Sequence, residues 1–239
     1  MKKQVLKDFI KRYSFNTLME DVIWVVKDKV LTTSVISGCK SMIVIVKLKE
    51  MDLIDCELGV YHSTGLNNLL NALDDDVEVT LIGSEEKYTS VKFDDGVSES
   101  IFTLSETSTV PKVPTIKKIP EWDIEFVLDK SLIVKYLKSM SILKEYSINV
   151  VTFHMSDDKK LNITFGYSTL NTNRITIKTG LKFKKKLERV ELNADYLKSI
   201  FLSNRDCDEM KFRMSNEGLT HVAIENDLFY SEYYMVHIV

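Results

Sequence analysis

The sequence has few of the residues that hold small secreted domains together or that bind metals. Its 239 residues include three cysteines, Cys39, Cys56 and Cys207, which are widely spaced and form neither a Cys-x-x-Cys pair nor an even disulfide set. The four histidines are dispersed along the chain, with no Cys or His neighbour at ligand spacing. We therefore expect reduced, mostly buried thiols, no metal and no cofactor.

The motifs of several common enzyme classes are also missing. There is no Gly-Lys pair for a phosphate-binding loop, no Gly-x-Ser-x-Gly elbow and no His-Glu-x-x-His zinc helix. The run Asp74–Asp76 has the composition of a magnesium site, but it directly follows a helical pattern and is typical of a solvated turn. These absences predict a protein that is not an enzyme.

Long hydrophobic runs and a large net charge are absent as well. The longest purely aliphatic stretch, Met42–Val46, is far shorter than the roughly 18 residues that a membrane-spanning helix needs. Charged residues from Lys7 to Arg12 interrupt any signal-peptide core behind the N-terminal lysines. We expect a soluble, cytoplasmic protein, in the host cytoplasm if it is viral. Because the net charge is -3, any surface that binds a polyanion must be local.

All three prolines lie in one segment, Ser108–Glu121. Proline removes a backbone donor and favours extended backbone, so this segment is typical of a stiff connector. A chain of 239 residues suits two domains of about 115 residues each. We predict an N-terminal domain over 1–107, a connector over 108–121 and a C-terminal domain over 122–239.

The same order of patterns occurs on both sides of the connector: a helix, several strands, a second helix and more strands. Apolar residues at i, i+3, i+4 and i+7 mark the helices. They are Leu6, Phe9, Ile10 and Tyr13; Leu66, Leu69, Leu70 and Leu73; Ile133, Tyr136, Leu137 and Met140; and Leu197, Ile200 and Phe201. Turn signals at Asp94–Gly96 and Asn216–Gly218 suit hairpins. The predicted fold class is α+β, a duplicated domain with extended antiparallel sheets.

Several of the predicted helices carry lysines away from their apolar stripe. Lys3, Lys7 and Lys11 follow i, i+4 spacing in the first helix. Lys135 and Lys138 lie on the third helix, after the predicted cap Asp129, and Lys198 lies on the fourth. Each lysine taken alone suits a solvated surface. Their conjunction in an acidic chain favours a surface for a polyanion.

The ordered set of segments resembles a known family, the DNA sliding clamps. The resemblance is carried by Leu192–Phe201, Met210–Leu219 and the closing run Tyr233–Val239, in the order helix, strand, Asn-Glu-Gly turn and strand. The proline segment Ser108–Glu121 and the helix opening Val127–Leu137 are most similar to the T-even type of bacteriophage clamp. No single motif is diagnostic.

This resemblance implies a processivity factor that encircles double-stranded DNA without reading its sequence. It implies a homotrimeric ring, with the sheets on the outside and two helices per domain on the inner face. The lysines expected to face DNA are Lys3, Lys7, Lys11, Lys135, Lys138 and Lys198. Subunits are expected to pair through two edge strands, with Ile101, Phe102, Thr103, Ile175 and Ile177 at the interface. The same segments also suit ordinary edge strands.

The resemblance also implies partners. A replicative DNA polymerase is expected to place a short peptide in an apolar pocket formed by Val113, Ile116, Ile119, Tyr234 and Val236. The alternative is that these residues only pin the connector to the core. A clamp-loader ATPase is expected because a closed ring must be opened. In T-even phages the clamp also supports late transcription, which the resemblance extends to this chain.

The same fold also suits a second function. A monomeric processivity or interaction module would bind DNA through one basic face. An open binder usually needs a stronger positive charge, so the acidic composition favours the ring.

Overall fold

The computed structural model describes residues 1–15, 17–84, 87–116, 118–143, 148–168 and 173–238. These residues form two compact units. Unit 1 comprises Met1–Thr115 and Glu225–Ser231, and unit 2 comprises Ile116–Ile224 and Glu232–Val239. The domain limits predicted from the proline segment stay a prediction.

Unit 1 contains two helices and two antiparallel sheets. Its elements are α1 (Lys3–Ser14), β1 (Val22–Lys27), β2 (Val30–Ile36), β3 (Met42–Leu48), β4 (Cys56–Val60), α2 (Ser63–Asn71), β5 (Glu78–Ser84), β6 (Lys87–Asp94) and β7 (Glu99–Thr103). One sheet has the order β4-β1-β2-β3 and the other the order β5-β6-β7. The 3₁₀ turn Thr107–Thr109 follows.

The core of unit 1 follows from its sequence patterns. Strands β1, β2 and β3 alternate buried and half-buried residues, as expected where one face of a sheet packs inward. The predicted stripe of α1 is almost fully buried, and Phe9 contacts Tyr13 and Trp24 edge to face. The Trp24 indole N–H donates to the Tyr13 hydroxyl at 3.2 Å. The helix therefore packs on its sheet through the residues that the spacing predicts.

In the described residues, unit 2 repeats the helices and strands of unit 1 and has one additional strand. Its elements are β8 (Ile124–Asp129), α3 (Lys130–Leu143), β9 (Val150–Met155), β10 (Lys160–Phe165), β11 (Ile175–Lys182), β12 (Val190–Asn193), α4 (Ala194–Ser203), β13 (Glu209–Ser215), β14 (Leu219–Glu225) and β15 (Phe229–Val236). The first residues of β15, up to Ser231, belong to unit 1. The sheets run β11-β10-β9-β12 and β15-β14-β13-β8.

Aromatic side chains fill the core of unit 2. Phe126 of β8 stacks on Phe212 of β13 with ring centroids 5.3 Å apart. Tyr136 of α3 contacts Phe201 of α4 at 4.8 Å and donates its hydroxyl to the Ala194 carbonyl oxygen at 3.0 Å. Burial raises the pKa of Tyr136 well above its usual value, so the hydroxyl stays protonated and keeps this bond. The two helices are thus fixed to each other.

The element order confirms the predicted duplicated α+β fold. The strands β4-β1-β2-β3 of unit 1 correspond to β12-β9-β10-β11 of unit 2, and β5-β6-β7 correspond to β13-β14-β15. The predicted hairpin turns also form, with Gly96 at φ 85° and Gly218 at φ 97°, a region that glycine adopts without strain. The two repeats differ in one element, because β8 precedes α3 while α1 begins at Lys3.

One boundary predicted from the sequence is wrong. Val127 to Asp129 were placed at the opening of the third helix, but they are the last residues of strand β8, and α3 begins at Lys130. The alternation of buried Ile124, Phe126 and Leu128 is the strand signal. The predicted cap is confirmed: Asp129 Oδ1 accepts hydrogen bonds from Leu132 N and Ser131 Oγ, both at 2.9 Å.

In the described ranges, no helix has the length and apolar character needed to cross a membrane.

Candidate functional site

Two of the predicted DNA-facing lysines bind the neighbouring helix of unit 1. The Lys3 ammonium donates to the carbonyl oxygen of Leu73, just beyond the end of α2. One turn further along α1, Lys7 Nζ donates to Asn71 Oδ1 at 2.5 Å. Both lysines are half-buried, as is Lys11 in the next turn. Lys3 and Lys7 therefore lie against the C-terminal end of α2.

These contacts place positive charge at the C-terminal end of α2. Carbonyl groups at a helix C-terminus are unpaired and carry partial negative charge, which a lysine neutralises. Lys3 and Lys7 supply this charge from α1, while α2 has no basic residue in its last turn. Asn71 and Leu73 were not among the predicted site residues, because contacts across 64 and 70 residues of sequence leave no trace in local spacing.

The lysines of unit 2 are more accessible. Lys135 and Lys138 on α3 are exposed, and Lys198 on α4 is half-buried. Lys198 lies beside α3 in a hollow of about 350 Å³. The hollow is lined by Leu137, Met140, Ser141, Ile148, Asn149, Asp195 and Lys198. The structure thus brings Lys198 close to the exposed side of α3.

The two predicted interface strands, β7 and β11, lie at sheet edges. Strand β7 is the last strand of the β5-β6-β7 sheet, and β11 is the first of the β11-β10-β9-β12 sheet. Among the described residues no strand pairs with the outer edge of either. Ile101 is 50% exposed and Thr103 is exposed, whereas Phe102 is 6% exposed and packs into the core of unit 1. In β11, Ile175 is half-buried and Ile177 is 7% exposed.

The main-chain groups of β7 define what its open edge offers. Leu104 N donates to the Thr89 carbonyl of the neighbouring strand β6. Alternate residues of a strand direct their N–H and C=O groups to the same edge. The groups of Ile101 and Thr103 therefore point away from β6 and are free to pair with another strand. The interface assignment itself stays a prediction.

The predicted peptide-pocket residues of unit 2 differ in accessibility. Val236 is 51% exposed and Ile119 is 49% exposed, while Ile116 is half-buried and Tyr234 is buried. Tyr234 stacks on His221 with centroids 4.5 Å apart and donates its hydroxyl to Glu232 Oε1 at 3.2 Å. Burial and the Glu232 charge raise the pKa of Tyr234 to about 12. The Tyr234 ring is therefore packed against its neighbours and offers little surface to a ligand.

His221 and Trp122 were not among the predicted pocket residues. The ring of Trp122, two residues after Pro120, stacks on His221 with centroids 5.9 Å apart. His221 Nε2 lies 3.1 Å from Glu232 Oε1, within hydrogen-bonding distance. The sequence signal for this contact was a tryptophan directly after the proline segment, because tryptophan side chains are rarely left fully exposed to solvent. The three stacked rings anchor the chain where the connector enters unit 2.

Val113 belongs to unit 1, whereas the other four predicted pocket residues belong to unit 2. It lines a shallow hollow of about 310 Å³ over strands β1 and β2. The hollow is lined by Ile23, Val25, Thr32, Thr33, Ser34, Glu57, Pro111, Lys112 and Val113. The first part of the connector therefore rests on the outer side of this sheet.

The segment behind β15 has an acid-sensitive contact. His237 Nε2 lies 2.9 Å from Thr220 Oγ1, and burial lowers the pKa of His237 to about 4. Between pH 6.5 and 4, His237 binds a proton in the unfolded chain but stays neutral in the folded chain. Stability from neutral His237 is therefore complete above about pH 6.5 and is lost as the pH falls towards 4.

We expect His237→Gln to flatten the fall of the melting temperature between pH 6.5 and 4.5, because glutamine keeps a polar contact and does not titrate. Differential scanning calorimetry at several pH values measures this. The matched control is His62→Asn, because His62 is exposed and asparagine tolerates its φ of 54°. Equal slopes for His237→Gln and the parent protein would contradict the assignment.

Within the described part of the chain, no group of three His, Cys, Asp or Glu side chains is arranged to hold a metal ion.

The sequence matches no protein-family model and no curated protein at a significant level. Solved structures match over the full length. The structure of A. fulgidus proliferating cell nuclear antigen (PCNA) with the C-terminal region of FEN-1 bound gives a TM-score of 0.77 at 17% identity. The match covers 100% of this chain and 97% of that chain.

Two further structures give the same result. The PCNA of Entamoeba histolytica has a TM-score of 0.74 at 13% identity, covering 100% of this chain and 97% of that one. A chain of the PCNA2–PCNA3 complex of Sulfolobus tokodaii has a TM-score of 0.70 at 11% identity, with 99% and 97% covered. At these identities the similarity establishes the fold. The chain therefore has the duplicated α+β fold of the PCNA-type sliding clamps.

Proposed function

We propose that this protein is a sliding clamp, a processivity factor without enzymatic activity that closes into a homotrimeric ring around duplex DNA. The observation that carries the proposal is the clamp fold, which matches over the full length of both chains compared. The accessible lysines on the helices and the open edges of β7 and β11 support it. The T-even phage branch and a role in late transcription rest on the sequence resemblance alone.

Ring closure would use the two open edges. Strand β7 of one subunit would pair with β11 of the next, and the three repeated contacts would leave neither edge exposed. Because the paired surfaces differ, the contact is head to tail, and it ends when the rotation closes. Sheets with uncovered edges are liable to aggregate, so this pairing also protects the protein.

DNA binding would be electrostatic and weak. Lys11, Lys135, Lys138 and Lys198 would contact phosphates without reading bases, which permits sliding. Lys3 and Lys7 would contribute to the same positive potential while they hold the end of α2. The enclosure supplies the retention, since a closed ring cannot leave a continuous duplex sideways.

Partner binding would use the exposed apolar residues near the connector. Ile119 and Val236 are each about half exposed, and their solvent-accessible apolar area suits a short hydrophobic peptide. We assign this surface to the replicative polymerase. The A. fulgidus structure, with a C-terminal region of FEN-1 bound, supports a tail peptide as the form of ligand. A clamp-loader ATPase would open the ring.

Retention on circular DNA tests the proposal. Protein loaded on a nicked circle should stay bound through gel filtration at high salt and should leave within minutes once the circle is cut. The cut removes the topological link between protein and DNA and leaves every phosphate contact in place. Loss at high salt from circles and linear DNA alike would instead identify a monomeric binder that uses one basic face.

A further inference from the structure

The two repeats differ at one sheet edge. In unit 2, β8 covers the edge of β13, with Asp129 opposite Glu209 and Ile124 opposite Met214. In unit 1 the corresponding contact is a single bridge between Lys2 and Asp76, directly before α1. When the Lys2–Asp76 pair of unit 1 is matched to the Asp129–Glu209 pair of unit 2, Lys2 corresponds to Asp129 and Asp76 corresponds to Glu209. Glu78–Leu81 of β5 then correspond to Lys211–Met214, and no strand covers them among the described residues.

The main-chain groups at this edge are available for pairing. Met1 and Val77 exchange both hydrogen bonds, Met1 N to Val77 O at 2.7 Å and Val77 N to Met1 O at 2.9 Å. Since alternate residues of a strand face the same edge, the N–H and C=O groups of Val79 and Leu81 point in this direction too. Those of Glu78 and Thr80 point towards β6, to which β5 is paired.

The apolar side chains of β5 lack the cover that β13 has. Met210, Phe212 and Met214 of β13 are at most 1% exposed, and Phe126 of β8 stacks on Phe212. At the matching positions of unit 1, Val77 beside Met1 is 2% exposed. Val79 and Leu81, beyond the bridge, are half-buried. The apolar face of β5 thus loses its cover at the residue where the bridge ends.

The charges at the two edges are opposite. Glu125 of β8 binds Arg213 Nε at 2.6 Å and Lys211 Nζ at 2.9 Å on β13. In β5 the corresponding residues are Thr80 and Glu78, and the cross-strand neighbour of Glu78 is Asp94. Lys92 on the same side is held between Asp94 and Glu99 at 3.3 and 3.8 Å. A strand that paired here would meet an acidic surface where β8 meets a basic one.

We propose that the open edge of β5 at Glu78–Leu81 binds an extended segment of another polypeptide by antiparallel strand addition. The segment has apolar residues opposite Val79 and Leu81 and a lysine or arginine opposite Thr80, where it reaches Glu78 diagonally. Strand addition supplies main-chain hydrogen bonds, and the alternate side chains supply selectivity. The site is separate from the β7 and β11 edges and does not depend on ring formation.

Two peptides taken from the chain itself provide the test. The probe copies Trp122–Val127 with Glu125→Lys, and the control copies the same residues unchanged. Amide hydrogen exchange of the full protein is followed by NMR with each peptide at up to millimolar concentration. We expect the probe to protect the amides of Val79 and Leu81 and to bind about two- to fivefold more tightly than the control.

A variant of the protein makes the test reciprocal. Glu78 is exposed and its main-chain groups face β6, so Glu78→Lys leaves the fold intact. We expect this variant to prefer the unchanged peptide over the probe by a similar factor. Absence of protection at millimolar peptide, or a preference that Glu78→Lys does not reverse, would overturn the proposal. So would protection of the Val79 and Leu81 amides without peptide that increases with protein concentration, because it would show that this edge pairs with a second copy of the chain.

Discussion

Purified protein is expected to sediment at three times 27.6 kDa, or 82.8 kDa, and Ile101→Pro is expected to convert it to a 27.6 kDa monomer. The Ile101 N–H points to the open edge of β7, so proline there removes a donor that only a neighbouring subunit would use in the proposed ring. Loss of one main-chain hydrogen bond weakens each subunit contact by about tenfold. Steric clash of the proline side chain with the neighbouring strand would weaken it further. Sedimentation velocity from nanomolar to high micromolar protein measures it.

The control for this experiment is Ile101→Thr, which keeps both the N–H and the β-branched side chain. It should remain a trimer. Because Ile101 is half exposed, neither substitution should unfold unit 1, and circular dichroism checks this. A monomer for the parent protein at every concentration would reject the ring and the pairing of β7 with β11. A trimer for Ile101→Pro would reject only the pairing.

Replacing Lys135, Lys138 and Lys198 with glutamine together is expected to weaken the salt-dependent binding of duplex DNA strongly. A trimer would lose nine cations. If a third of them contact phosphates at one time, the slope of log K against log salt falls by roughly 3, since each phosphate contact contributes about 0.9. Fluorescence anisotropy of a labelled duplex between 25 and about 200 mM salt gives the slope.

A matched triple variant separates this effect from net charge. Lys29, Lys40 and Lys159 are exposed in the hairpin turns between β1 and β2, β2 and β3, and β9 and β10. Their replacement by glutamine removes the same charge from the other parts of each subunit. The slope should then change by less than about 1. Equal losses in the two variants would mean that the helices do not form the DNA-facing surface.

The helices could be predicted from the sequence because their apolar spacing has a single interpretation. Leu6, Phe9, Ile10 and Tyr13 fit a period of 3.6 residues and no other, and all four are buried. Strand β8 was harder. Its alternation over Ile124, Phe126 and Leu128 is short, and it runs directly into the stripe of α3. The boundary became clear only from its pairing with β13.

The candidate site could be predicted only in part, for a physical reason. Spacing indicates which side of a helix is polar, so the lysines of α1 could be placed on that side. It does not indicate what that side contacts, so the bonds from Lys3 and Lys7 to the end of α2 were not. The stack of Trp122, His221 and Tyr234 likewise joins residues that are distant in sequence. Such contacts depend on the tertiary fold.

The two open edges also determine how a defective copy behaves among intact ones. In the proposed ring β7 and β11 are different surfaces, so a copy blocked at Ile101 would still accept a neighbour at β11 but would not extend the assembly beyond itself. A ring closes only when every member is competent at both edges. In an equal mixture only about one trimer in eight would consist of intact copies alone. Substitutions at β7 would therefore be dominant when expressed beside the normal protein.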